Sequence, residues 1–151
     1  AGVLTRVSGL FSRRGYNIES LAVGETDLPG ISRITLVVNG DERVIEQVSK
    51  QLYKLIDVIK VLDLTEEEYV ERELILIKVR VDNTTRTEII QIANIFRARI
   101  VDMAPDSFII ESTGSGSKIK ALEKALIPYR IMEIVRTGRI ALGRGKGGYL
   151  L

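Results

Sequence analysis

The chain has 151 residues, enough for one ordinary domain or for two small ones. Its 22 basic and 20 acidic residues give a net charge of +2, without the strong basic excess that is typical of nucleic-acid binding. There is no Cys, His or Trp, which removes disulfides, thiol nucleophiles and the commonest general base, and leaves only carboxylates for a zinc site.

The first half of the chain predicts a helix, two strands, a second helix and a closing strand. Val7 and Phe11 share one helical face, and Gly15 stands where a left-handed residue often ends a helix. Pro29 and Gly30 occupy the positions that a type II turn prefers. The predicted elements are a helix that ends near Arg14, strands at 18–24 and 31–39, a helix opened by Gly40-Asp41, and a strand at 58–64.

The second half predicts the same order of elements with one more strand at its start. Alternate residues from Ile75 to Val81 are apolar and β-branched, which is typical of a half-buried strand. Thr85 and Glu88 have the spacing of a capping box at a helix start. The elements are strand 73–81, a helix with Ile89 to Phe96, strands 100–104 and 107–112, a helix opened by 114–117 and ended by Pro128, and strand 131–137.

This repeat predicts an α+β fold of two consecutive ferredoxin-like βαββαβ domains, of which the N-terminal one lacks its first strand in this chain. We expect a strand of about eight residues before Ala1. The predicted domains span 1–65 and 73–151, joined by a charged, solvated linker at 66–72. Strand 31–38 has apolar or small residues on both faces, which favours pairing with a second copy or within the chain.

The end of the chain is rich in glycine and in basic residues. Gly143, Gly145 and Gly148 match a dinucleotide-binding pattern, but such a pattern must follow a strand and open a helix, so we predict a flexible tail. The RNA-recognition motif shares the βαββαβ order, and RNA binding stays open as an alternative. It would need exposed aromatic residues on central strands, for which Phe108 is the candidate, and it would use the basic tail residues Arg136, Arg139, Arg144 and Lys146.

Catalysis is a third possibility that the composition makes weak. Glu66, Glu67 and Glu68 are neighbours in sequence, and such side chains do not converge on one point. No base is available to activate a serine such as Ser8 or Ser12. We therefore predict no catalytic residues and no metal site.

The segment from Gly2 to Val38 closely resembles the amino-acid-sensing ACT domain of acetohydroxyacid synthase regulatory subunits. Its most specific part is RGYNIESL, residues 14–21. This part also argues against other ACT-domain sensors, such as regulators of glycine metabolism. The resemblance covers essentially the whole chain in order, continuing through QVSKQLYKLIDVIKV at 47–61, VERELILIKV at 70–79, IFRARIVD at 95–102 and RTGRIALGRG at 136–145.

The resemblance implies a cytoplasmic, non-catalytic subunit without a cofactor of its own, active in branched-chain amino acid biosynthesis. Such a subunit joins the thiamine-diphosphate-dependent catalytic (large) subunit, raises its activity, and confers feedback inhibition by valine or by leucine or isoleucine. The family further implies a homodimer in which ACT domains pair side by side and bind the amino acid at their interface. Neither nucleic acid nor a membrane is expected as a partner.

An amino-acid effector presents a carboxylate, an ammonium and a side chain. Helix N-termini bind carboxylates through free backbone N–H groups, and Gly permits close approach, so the resemblance assigns Gly2, Val3 and Leu4 to the carboxylate. The resemblance further implies that Asn17 comes from the partner domain, where its amide offers a donor and an acceptor, and that Ile18 offers apolar contact to the branched side chain. Valine, leucine and isoleucine are all expected to bind, since one methylene is worth only ~1–3 kcal/mol.

Overall fold

The structure of the protein, a computed structural model, describes residues 2–145. The chain divides into two compact units. The first holds the residues up to Val70 together with the stretch that begins at Ala141, and the second spans Glu71–Ile140. The segment predicted as a linker at 66–72 runs into a strand that begins at Tyr69.

The described part of the chain contains four α-helices, a short 3₁₀ helix (Ile127–Tyr129) and seven strands. The helices are α1 (Gly2–Arg14), α2 (Glu42–Tyr53), α3 (Arg86–Ile95) and α4 (Gly116–Leu126). The strands are β1 (Asn17–Glu25), β2 (Ser32–Asn39), β3 (Tyr69–Arg80), β4 (Arg99–Met103), β5 (Ser107–Gly114), β6 (Ile131–Arg136) and β7 (Ile140–Gly143). This order confirms the predicted α+β class.

In the first unit, α1 packs on an antiparallel β1–β2 hairpin. The helix ends where predicted, because Gly15 adopts a φ of 69° and the N–H of Tyr16 bonds back to the carbonyl of Phe11 at 3.2 Å. The type II turn is confirmed as well, with Gly30 at a φ of 77° between the strands. The core of the unit consists of residues at most 8% exposed from α1 and α2: Val7, Leu10, Phe11, Val48 and Leu52.

The strand predicted at 58–64 is wrong, since this segment forms no strand among the described residues. In the second unit, the first strand of the repeat, β3, lies between β5 and β6 and pairs with both. The closing segment of the first unit would need the equivalent first strand as its partner, and residues 2–145 contain no such strand. Instead, the Tyr53 hydroxyl accepts from the N–H of Val61 at 3.2 Å and donates to its carbonyl at 3.1 Å.

The second unit contains a complete βαββαβ repeat. Its antiparallel sheet has the order β4-β5-β3-β6, and β7 also pairs with β3. The predicted alternation in β3 is confirmed, because Ile75, Ile77 and Val79 are fully buried. They pack in one core with residues of β5 and of both helices: Phe108, Ile110, Ile89, Ile119, Leu122 and Leu126.

Part of the segment predicted as a flexible tail belongs to strand β7, which ends at Gly143. Ile140–Gly143 pair with β3, which begins well before its ladder with β6 starts at Ile75 and so has backbone groups to offer. The N–H of Arg144 bonds to the Glu68 carbonyl at 2.9 Å. The rest of the predicted tail, from Lys146 onward, lies outside the described residues.

The predicted capping box at the start of α3 is wrong. Thr85 is the N-cap residue, but its hydroxyl accepts from the N–H of Asp82 rather than from the helix. Glu88 accepts a hydrogen bond from the Tyr129 hydroxyl at 2.8 Å. The carboxylate of Asp82, which follows the end of β3, accepts hydrogen bonds from the backbone N–H groups of Thr84 and Thr85, the two residues before α3.

The C-terminal end of α3 provides a prediction about stability. Arg97 holds a φ of 54°, and the N–H of Ala98 bonds back to Ala93 at 2.8 Å, as in a glycine-ended helix. A left-handed conformation costs a non-glycine residue roughly 1–2 kcal/mol. A glycine avoids this cost, but it loses about 0.5–1 kcal/mol more in conformational entropy on folding. We expect Arg97→Gly to raise the free energy of unfolding by about 1 kcal/mol in urea titrations, and an unchanged or lower midpoint would contradict this.

Candidate functional site

The start of α1 carries the first three predicted effector residues. Gly2 begins the helix and is exposed, and no acidic side chain lies in the first turn. The backbone N–H groups of that turn have no partner within the helix and lie at its positively polarised end. Leu4 is exposed beside them, whereas the side chain of Val3 packs against the core. Val3 can thus offer its backbone to a ligand, but not its side chain.

Arg6 lies beside this helix start and was missed by the sequence analysis. A Cβ atom added to Gly2 would stand 3.1 Å from a guanidinium nitrogen of Arg6. The same guanidinium forms an ion pair with Asp57, which lies beyond α2. The four-residue spacing from Gly2 places Arg6 on the same helix face, and this was the available signal. Arg6 and Asp57 therefore form an ion pair beside the start of α1.

Asn17 and Ile18 lie at the end of the β1–β2 hairpin that is opposite to its turn. Asn17 is exposed and pairs with Asn39 across the β1–β2 ladder, so two amide side chains belong to neighbouring positions. Ile18 is half-buried and packs against the core of the first unit. The ladder is irregular between Ile18 and Ser20, directly beside this position. Asn39 became a candidate only once the register was known.

The structure does not bring the two groups of predicted residues together within one chain. Gly2 starts α1 and Asn17 follows its end, so the length of the helix separates them. At 1.5 Å per residue, this is about 18 Å along the axis. One amino-acid ligand is far shorter than this distance. A single copy of the chain can therefore contact it through one group only.

The first helix of the second unit starts differently. Asp82 accepts hydrogen bonds from the backbone N–H groups of Thr84 and Thr85 at 2.8 and 2.9 Å, and from the Thr84 hydroxyl at 2.6 Å. The Thr84 hydroxyl first, and then the two backbone groups, hold the pKa of Asp82 below its ordinary value. A carboxylate of the chain itself thus lies directly before the start of α3 and bonds the two residues that lead into the helix.

This arrangement predicts how the second unit responds to acid. Because the folded-state pKa of Asp82 is lowered, its contribution to stability is present above the unfolded pKa and is lost as the pH falls through the folded pKa. We expect Asp82→Asn to be less stable than the parent at neutral pH, with the difference shrinking as the pH falls below about 4. Thermal melts across this range measure it, with exposed Asp102→Asn as control. A pH-independent difference would contradict the expectation.

The RNA-binding alternative loses its aromatic contact. Phe108 is fully buried in the core of the second unit, under the guanidinium of Arg86 at 5.3 Å from the ring centre. A buried ring has no face available for stacking on a base.

The basic residues near the end of the chain are engaged in ion pairs. Arg136 contacts Glu123 at 2.9 Å and the buried Glu73 at 3.5 Å. Arg139 lies 4.0 Å from Glu71, and Arg144 lies 3.6 Å from Glu68; Lys146 is outside the described residues. These contacts compensate the charges on which the RNA-binding alternative relied.

The described residues contain no cluster of three or more acidic side chains arranged to hold a metal ion. Within residues 2–145, no helix has the length and apolar character needed to cross a membrane.

Comparison with known proteins gives consistent results over both halves of the chain. Residues 1–60 match the family model described as the AHAS small subunit-like ACT domain, and residues 72–145 match that of the small subunit of acetolactate synthase. The probable acetolactate synthase small subunit of Methanothermobacter thermautotrophicus is 53% identical over 95% of this chain and 86% of its own length. The acetolactate synthase small subunit of Mycolicibacterium smegmatis is 52% identical, covering 97% and 86%.

A crystal structure supports the same assignment. The acetolactate synthase small subunit from Thermotoga maritima superposes with a TM-score of 0.84 at 46% identity, covering 96% of this chain and 91% of that one. The predicted resemblance and the ACT-like repeats are confirmed by these matches. The chain belongs to the family of acetolactate synthase small subunits.

Proposed function

We propose that the chain is a non-catalytic regulatory subunit that binds valine, or another branched-chain amino acid, between the N-terminal units of two copies. In this proposal it raises the activity of the catalytic subunit of acetolactate synthase, and bound effector lowers that activity again. The family membership supports pairing with a catalytic subunit. The effector and the feedback are the parts that experiment must establish.

The position of the candidate residues at the two ends of α1 is the observation that carries the proposal. Gly2 and Asn17 are separated by the length of a 13-residue helix. A complete amino-acid site therefore requires the α1 start of one copy and the β1 start of another. This requirement favours a homodimer whose ligand binds at the interface.

Each part of the effector then has a chemical partner. The carboxylate would meet the first N–H groups of α1 at Gly2, Val3 and Leu4, with its charge favoured by the helix dipole. The ammonium would be held by the amide oxygen of Asn17 from the other copy. The branched side chain would contact Ile18 of that same copy.

Binding at such an interface can regulate because it stabilises one arrangement of two copies over another. The effect on the catalytic subunit is then a coupling free energy between two sites, and it is reciprocal for binding. We also propose a cytoplasmic location, no cofactor in this subunit, and neither nucleic acid nor membrane as partner. The lack of Cys and His supports a role without catalysis.

The direct experiment measures acetolactate formation by the cognate catalytic subunit alone, with this protein, and with this protein plus valine. We expect stimulation by the protein and loss of rate when valine is added. Stimulation without a valine response would keep the partner and refute the effector. No stimulation would refute the regulatory role.

A mixing experiment tests whether the site is shared between copies. Gly2→Asp and Asn17→Ala should each strongly weaken valine binding in a homodimer, because every site contains the altered residue. A mixed dimer of the two variants should recover one intact site, formed by the unaltered Gly2 of one copy and the unaltered Asn17 of the other. If both residues served one ligand within a single chain, the mixed dimer would recover no binding. Calorimetry on the equilibrated mixture distinguishes the two outcomes.

A further inference from the structure

A cleft lies between the C-terminal ends of α1 and α2 in the first unit. Its volume is about 480 Å³, within the range of about 300–1,000 Å³ that is usual for binding cavities. We call it the basic cleft, and it is lined by Leu10, Arg13, Arg14, Gln51, Lys54 and Leu55.

The charge of the basic cleft is positive and uncompensated. Arg13, Arg14 and Lys54 line it, and none of its lining residues is acidic. Among residues 2–145, no carboxylate lies within ion-pair distance of these three cations, whereas Arg6 and Lys50 in the same unit are paired. The helix dipoles favour cations at the C-terminal ends of α1 and α2. They do not account for a cavity between these cations.

The base of the cleft is apolar and ordered by packing. Leu10 is 6% exposed, and the half-buried Leu55 packs against the same core. Gln51 is 9% exposed, and its side-chain oxygen accepts a hydrogen bond from Arg14 at 3.3 Å. This contact restrains one guanidinium at the rim. A carboxylate that enters the cleft would meet cations already placed around an apolar surface.

We propose that the basic cleft docks an acidic segment of the catalytic subunit, with a carboxylate held between Arg13 and Lys54 and an apolar neighbour on Leu10 and Leu55. This inference rests on the proposed function, because it assumes that the chain joins a catalytic subunit. The amino-acid effector does not suit the cleft, since three cations would repel its ammonium group. The cleft also lies at the end of α1 opposite to Gly2.

The test is a titration of catalytic-subunit stimulation with the full chain carrying Arg13→Glu and Lys54→Glu. The matched control carries Arg43→Glu and Lys120→Glu, two exposed positions outside the cleft with the same change of charge. We expect the cleft variant to need about tenfold more protein, or beyond, for half-maximal stimulation. The control should behave like the parent. Stimulation by the parent should weaken with rising salt, and this dependence should be reduced in the cleft variant.

Three results would overturn the inference. The first is equal stimulation by the cleft variant and the parent. The second is an equal loss of valine affinity in calorimetry, which would place the effect in the effector site. The third is dissociation of the dimer in sedimentation, which would make the cleft a contact between copies. Failure of the parent itself to stimulate would instead refute the proposed function. If the double variant does not fold, the neutral Arg13→Gln and Lys54→Gln variants should show the same shift with smaller size.

Discussion

Gly2→Asp is expected to weaken valine binding by about a hundredfold while stimulation of the catalytic subunit persists. The new carboxylate would stand at the start of α1, where the effector carboxylate is proposed to bind. It would also lie close to Arg6, whose guanidinium is 3.1 Å from the position of an added Cβ. The new carboxylate and the effector carboxylate would be like charges in one site, which costs several kcal/mol. Calorimetry with valine measures the affinity, and the acetolactate assay measures the stimulation.

Gly9→Asp is the matched control on the same helix. An added Cβ at Gly9 would meet no atom within 4 Å, so the same side chain can be accommodated there. We expect this variant to keep the valine affinity of the parent, with a modest loss of stability from Asp in a helix interior. Full valine affinity in Gly2→Asp would show that the carboxylate does not bind at the α1 start.

Phe108→Ala is expected to lower the free energy of unfolding of the second unit by about 3–5 kcal/mol. Phe108 is fully buried among residues of β3, α3 and α4, so truncation leaves a cavity that rigid neighbours cannot close. The substitution also removes the ring below Arg86, which joins α3 to the carbonyl of Pro105. Urea titration followed by circular dichroism measures the change.

Ile127→Ala provides the control for this loss. Ile127 is 63% exposed, directly after α4, and its truncation should change the free energy of unfolding by less than about 0.5 kcal/mol. A loss below about 1 kcal/mol for Phe108→Ala would indicate that the core of the second unit is not packed as described.

Elements with a local cause were predictable from the sequence. The alternation in β3 and the apolar face of α1 follow from side-chain periodicity, and Gly15 ends α1 through its own backbone freedom. Because these causes lie within a few residues, no knowledge of the partner elements was needed.

Elements that depend on a distant partner were predicted poorly. The segment 58–64 has the apolar pattern of a strand, but a strand exists only when a neighbour supplies its hydrogen bonds. Conversely, Ile140–Gly143 followed a glycine and preceded a glycine-rich end, yet they form β7 because β3 has free backbone groups. The capping of α3 failed similarly, because the Thr85 hydroxyl accepts from the N–H of Asp82 before the helix and not from an N–H group of the first helical turn.

The candidate site divides along the same line. Gly2 and Asn17 could be named from the resemblance, and the structure places both on exposed backbone. The ion pair of Arg6 with Asp57 joins residues far apart in the chain, and the pairing of Asn17 with Asn39 depends on strand register. Neither contact leaves a periodic mark in the sequence, so neither could be predicted.

The carboxylate of Asp82 bears on how many amino-acid ligands one chain can bind. Two repeats of one architecture begin their first helices differently: the first turn of α1 has no acidic side chain, whereas the Asp82 carboxylate bonds the two residues that precede α3. The second repeat can therefore share the fold of the first without sharing its proposed ligand site. In equilibrium dialysis, we expect amino-acid binding to saturate at one molecule per chain, with none bound by the second repeat.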